Sequence, residues 1–86
     1  MPEVSRFFGI IIRMYFDEHE PPHFHAVYGD VEALIGIDPI EVLRGDLPSR
    51  AVSIVIEWAA LHQRELRDNW RRLRVDQPAQ KISPLR

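Results

Sequence analysis

The sequence predicts an α+β fold: an antiparallel β-meander of three or four strands packed against one long C-terminal helix. Three observations carry this. Apolar residues alternate along residues 5–37, with interruptions at glycine and proline. The connections between these runs are short, as antiparallel neighbours require. From Pro48 to about Arg74 the apolar spacing becomes helical, and Pro78 lies beyond the end.

Ser5 to Phe16 reads as one long strand. Ile10, Ile12, Met14 and Phe16 share a face, and Phe7, Gly9, Ile11, Arg13 and Tyr15 take the other. Both faces are largely apolar, so this strand is expected at the centre, covered on both sides. Gly9 marks a bend or bulge. Asp17 to Pro22 connects to a second strand, His23 to Tyr28. There Phe24, Ala26 and Tyr28 oppose His23, His25 and Val27. Gly29-Asp30 is a turn, and Val31 to Ile37 a third strand with Val31, Ala33, Ile35 and Ile37 inward. Asp38-Pro39 ends it. Ile40 to Leu43 reads as a fourth short strand or an extended linker, and Arg44-Gly45-Asp46 as a turn.

On the helix, Val52, Val55, Ile56, Ala59, Leu66, Trp70 and Leu73 form the main apolar stripe. Its first half is apolar nearly all round, which points to burial on several sides or to a homodimer or heteromeric contact. The tail, Val75 to Arg86, reads as extended, with Ile82 and Leu85 as anchors. The sheet face not covered by the helix is expected to lie under the tail, a symmetry mate or a partner.

With 86 residues, 45% of them hydrophobic, residues 1–86 form one small domain. There is no cysteine, which excludes disulfides and thiolate metal sites and suits a cytoplasmic setting. Nothing resembles a signal peptide, and no apolar run approaches a membrane span. The net charge of −2 hides an asymmetry: residues 1–61 carry four Arg against ten acids, residues 62–86 seven Lys/Arg against three. A generally basic nucleic-acid binder is not indicated, but a local basic face is.

The densest chemistry lies at Asp17-Glu18-His19-Glu20-Pro21-Pro22-His23-Phe24-His25. His23 and His25 are two apart on a strand, so their rings point the same way. His19 could reach back across the two prolines. Three neutral imidazoles with an open fourth position would suit a divalent metal such as zinc, held by His19, His23 and His25. Asp17, Glu18 or Glu20 could add a carboxylate ligand or orient an imidazole. Alternatively, the histidines act as general acid and base without metal. A third reading makes them structural, bonded to backbone and acids in a strand-end loop.

On the helix, Trp58, His62, Glu65 and Asn69 share one face. His62 and Glu65 are three apart, an offset found in bundle metal sites, and they could complete a catalytic group with His23 and His25. An ordinary solvated ion pair explains the same spacing. Arg64, Arg67, Arg71 and Arg74 form a basic stripe suited to RNA phosphates, to an acidic partner, or to local acids.

Asp-Glu-His-Glu-Pro-Pro-His-Phe-His-Ala at 17–26 resembles a small bacterial family, the domain-of-unknown-function family 4160. So do residues 1–10, Tyr28-Gly29, Gly45-Asp46-Leu47-Pro48, Arg50-Ala51, Glu57-Trp58-Ala59, Leu61-His62, Asn69-Trp70 and residues 81–85. The resemblance spans nearly the whole chain, and Pro-Pro-His-Phe-His is its most specific part. Genes of this family resemble one half of a two-gene arrangement with a second uncharacterised family, numbered 2442. The resemblance implies a toxin-like or regulatory component of a toxin–antitoxin-type module, with a cognate small protein from the neighbouring gene as partner. Acting through its histidine loop, it could be a ribonuclease. A non-enzymatic metal-binding module and a pure protein-interaction module are the alternatives.

Overall fold

The computed structural model describes residues 3–86. It is an α+β fold with five strands rather than three or four. They are β1 (Glu3–Phe7), β2 (Ile10–Arg13), β3 (His23–Tyr28), β4 (Val31–Gly36) and β5 (Val42–Gly45). All neighbours are antiparallel and the spatial order follows the chain. Two helices follow, α1 (Ser49–Leu61) and α2 (Gln63–Arg74).

The expected single strand from Ser5 to Phe16 is a hairpin. Phe8 and Gly9 both take positive φ, at 49° and 79°, which is the pattern of a two-residue type I′ turn. Its twist matches that of the strands, so Phe7 pairs directly with Ile10. A strand counted straight through would put those residues on opposite faces; the turn puts both in the core. The consequence for position is large: β1 becomes an edge strand, and β2 sits between β1 and β3.

Residues 42–45 form β5, so Arg44 and Gly45 belong to a strand and not to the expected turn. A side chain at Gly45 would run into the carbonyl of Glu32 on β4, and its φ of +81° also favours glycine. The chain turns just after it, where the Asp46 N–H donates to the Glu32 carbonyl.

Alternation along the strands builds the core. Ile10, Ile12, Phe24, Ala26, Ala33 and Ile35 are all buried on one face. Trp58 of α1 closes that face, its ring 5.2 Å from Phe7 and 5.8 Å from Phe24. It is fully buried, so truncation to alanine removes about 3–5 kcal/mol. The opposite face carries Ile11, Arg13, His25, Val27 and Leu34, all only partly buried. The tail does not cover this face. It runs along the helices and β1: Trp58 Nε1–H donates to the Ser83 carbonyl, and the Ile82 N–H donates to the Val4 carbonyl. Asn69 grips Gln80 from both sides, donating to its carbonyl and accepting from its N–H. Ile82 is buried as expected, and Leu85 packs at the margin.

The long helix breaks at His62, where φ is −120° and ψ 24°. Proline and glycine are absent there. The cause is tertiary: Gln63 donates to the Ile37 carbonyl at 2.7 Å, and Arg67 pairs with Asp38 at 3.0 Å. Both tie the start of α2 to the end of β4, so the axis shifts at the junction. α2 thereby reaches the sheet end that carries the histidine stretch, and Trp70 lies 5.2 Å from the His23 ring. Among the described residues no helix is long and apolar enough to cross a membrane.

Candidate functional site

His23 opens β3 and His25 follows on the same face, as the strand period requires. Their ring centroids are 5.5 Å apart. The preceding loop brings Glu18 back over them. Glu18 Oε1 lies 3.3 Å from His23 Nε2 and also contacts His25 Nε2. Glu18, His23 and His25 are the one group of three or more such residues, among those described, whose ligating atoms converge, all within 4.8 Å of one another.

The other ring nitrogens are occupied too. His23 Nδ1–H donates to the Pro21 carbonyl at 2.8 Å. A carbonyl can only accept, so Nδ1 carries the hydrogen and Nε2 is the nitrogen turned to Glu18. His25 Nδ1 meets Glu32 Oε2 at 2.7 Å. A neutral imidazole has one N–H, yet His25 faces a carboxylate at each nitrogen. A neutral ring can donate to only one of the two, so its other nitrogen is left facing a carboxylate oxygen. Tyr15 completes the surround, edge-on to His25 at 4.7 Å.

The electrostatics at Glu18 oppose each other. Burial pushes its carboxyl up. Hydrogen bonding and charge from His25, then from His23, outweigh burial and hold it below its ordinary value. The cluster is shielded but not sealed: the side chains of His23, His25 and Glu18 are 7%, 14% and 27% exposed.

The structure separates the remaining expected members from this cluster. His19 is exposed and lines a different hollow, with Asp17, Glu18, Leu73, Arg74, Val75 and Asp76. It is not part of the converging group. His62 packs on Trp58, at 5.6 Å between ring centroids. Trp58 fills the core face of the sheet, whereas His25 leaves from the opposite face, so His62 and Glu65 do not join His23 and His25. Instead His62 Nδ1 pairs with Glu65 Oε1 at 2.5 Å, at the start of α2.

The arginine stripe also divides. Arg67 is held by Asp38, and Arg74 by Glu20 at 2.6 Å, where its guanidinium also lies 5.9 Å from the Trp70 ring. Glu20 further accepts from Trp70 Nε1–H at 3.4 Å, so it secures the loop to α2 and lies outside the converging group. Arg64 and Arg71 border a hollow with Lys81, and none of the three has an acidic partner among the described residues. Glu32 was beyond the reach of spacing arguments, because only the β3–β4 register places it beside His25. Glu18 was one of three acids in the loop, and the loop path alone selects it.

Fold and site together define a small α+β domain with a two-histidine, one-carboxylate cluster at the end of its sheet. The chain belongs to the family described as Domain of unknown function (DUF4160), whose model matches residues 9–71. No curated protein and no solved structure matches the chain.

Proposed function

We propose that the chain holds a divalent metal, zinc foremost, through Glu18 Oε1, His23 Nε2 and His25 Nε2. One observation supports this above the others. Both imidazoles turn Nε2 to the same carboxylate oxygen while an oxygen acceptor holds each Nδ1. Such outer acceptors fix the tautomer and raise the basicity of metal-ligating histidines. Three protein ligands with open positions are typical of catalytic zinc, and the same donor set suits iron(II). A bound metal would polarise a substrate oxygen or activate water.

A metal-free ribonuclease, with one histidine as base and the other as acid, has less support. Glu18 lies between the rings, where the scissile phosphate would have to enter, and its charge would repel it. The toxin-like reading is therefore carried forward in its metal-dependent form, without His62 and Glu65. In that cytoplasmic setting the partner would be the cognate small protein, a second copy of the chain, or RNA. Exposed Phe8 and Tyr28 offer apolar surface for a protein partner.

The direct test is metal analysis of untagged protein purified without chelator. About one equivalent of zinc or iron is expected, together with a rise in Tm on adding metal to stripped protein. Metal near zero with no rise in Tm would discard the reading. For the toxin-like setting, induced expression should slow growth, and Glu18→Gln should relieve it while still unfolding cooperatively as a folded chain. A harmless wild-type chain, or an equally toxic variant, would discard that version.

A further inference from the structure

Arg13 ends β2 on the open sheet face. Its backbone pairs with Glu3 on one side and His25 on the other. Directly opposed residues in antiparallel strands project from the same face, with Cβ atoms about 4.5–5.5 Å apart. Arg13 therefore stands beside His25, and Tyr15 follows two residues on along the same face.

The carboxylates around it are committed elsewhere. Glu3 gives both oxygens to Arg6, at 2.8 and 3.2 Å. Glu18 faces the two histidines, and Glu32 holds His25 Nδ1. Among the described residues no acid pairs with Arg13, and its Nε is buried without a hydrogen-bond partner. Buried donors are nearly always satisfied, so an orphan on a half-buried guanidinium calls for an explanation.

We propose that Arg13 anchors the terminal phosphate of a substrate bound on this face against the Glu18, His23 and His25 cluster; the proposal rests on the metal reading of that cluster. The donor geometry selects the ligand. A guanidinium fork takes two oxygens side by side, and a neighbouring cation takes a third. A phosphomonoester presents three terminal oxygens, whereas a carboxylate has only two. A small phosphomonoester and the phosphorylated end of an RNA strand share this chemistry.

The test is titration of phenyl phosphate, 5′-phosphorylated tetrauridylate and benzoate into wild-type, Arg13→Gln and Arg13→Lys protein, with zinc uptake measured separately in phosphate-free buffer. The wild type is expected to bind at least one phosphorylated probe and to discriminate against benzoate. Arg13→Gln should weaken that binding by about tenfold or more at unchanged zinc uptake, with Arg13→Lys between. Binding of both phosphorylated probes, or of phenyl phosphate alone, points to a small monoester; binding of the oligonucleotide alone points to an RNA end. Benzoate binding as tightly as phenyl phosphate, or phosphate binding indifferent to Arg13→Gln, overturns the proposal. If Arg13→Gln does not fold, Arg13→Lys at full wild-type affinity overturns it. Zinc uptake without binding of either phosphorylated probe removes this proposal and spares the metal reading. Arg13-dependent phosphate binding without zinc uptake overturns the metal reading and the cation's part in this proposal, leaving only the Arg13 contact, and a chain that takes up neither overturns both.

Discussion

Two histidine–carboxylate groups in this molecule look alike as residue pairs and differ in construction. At the start of α2, His62 at the helix break and Glu65 in the first turn meet at 2.5 Å. On β3, His23 and His25 meet Glu18 from a loop and Glu32 from the neighbouring strand. The helix pair is local and its carboxylate is half exposed, at 51%. Three residues of sequence separation are enough to bring such a pair together, and pairs of this kind contribute about 0.2–0.5 kcal/mol. The strand group needs the hairpin, the loop path and the β3–β4 register all at once. Residues from three elements are held together, with the Nδ1 of each histidine already bonded. Convergence from separate elements with the outer nitrogens occupied, not proximity of a histidine to an acid, distinguishes a site from a surface pair.

That contrast can be broken by substitution. The largest expected effect is His25→Ala, which removes the ligand shared with Glu18: metal content should fall from about one equivalent to none. His62→Ala should leave it unchanged, and equal losses in the two variants would erase the distinction. Next in size, Glu32→Gln keeps all three ligands but weakens the acceptor behind His25, so metal affinity should drop about 10–100-fold. A competitive chelator titration measures this, and unaltered affinity would mean that Glu32 has no role in holding the ring.

Acid comes third. Folding lowers the Glu18 pKa, so its ionised form stabilises the native state above the ordinary value of 4.5 and that contribution is lost as pH falls below it. Tryptophan fluorescence of metal-free protein should show stability falling across this window, less steeply in Glu18→Gln. Identical slopes would sink the assignment. The smallest effect is expected on the helix: Glu65→Gln should change unfolding free energy by no more than about 0.5 kcal/mol in a denaturant titration.

The same contrast explains what could be read from the sequence. Local spacing correctly placed His23 and His25 on one strand face, Phe24 and Ala26 on the other, and Ile82 as the anchor of the tail. It failed at Phe8-Gly9 because the usual hairpin signal is Asn-Gly or Asp-Gly, and phenylalanine in a left-handed conformation gives no warning. It failed at His62 because the break comes from Gln63 and Arg67 reaching the end of β4, which is invisible to helical periodicity. Within the site, the histidines were legible and Glu18 was one candidate in three. Glu32 and Arg13 were not, since both enter through strand register. The grouping of His62 and Glu65 with the strand histidines required two opposite faces of one sheet to coincide.

The tail bears on how the protein is made. β1 and residues 80–83 are far apart in synthesis, yet the Ile82 N–H closes on the Val4 carbonyl and Ser83 caps the Trp58 indole. A ribosome delivers the sheet and both helices before this strap exists. Until residue 83 has left the exit tunnel, the indole N–H of Trp58 lacks its native acceptor and the buried place of Ile82 stands empty. The nascent chain can pair its strands early, but its core is sealed only once residues 82 and 83 have followed the helices.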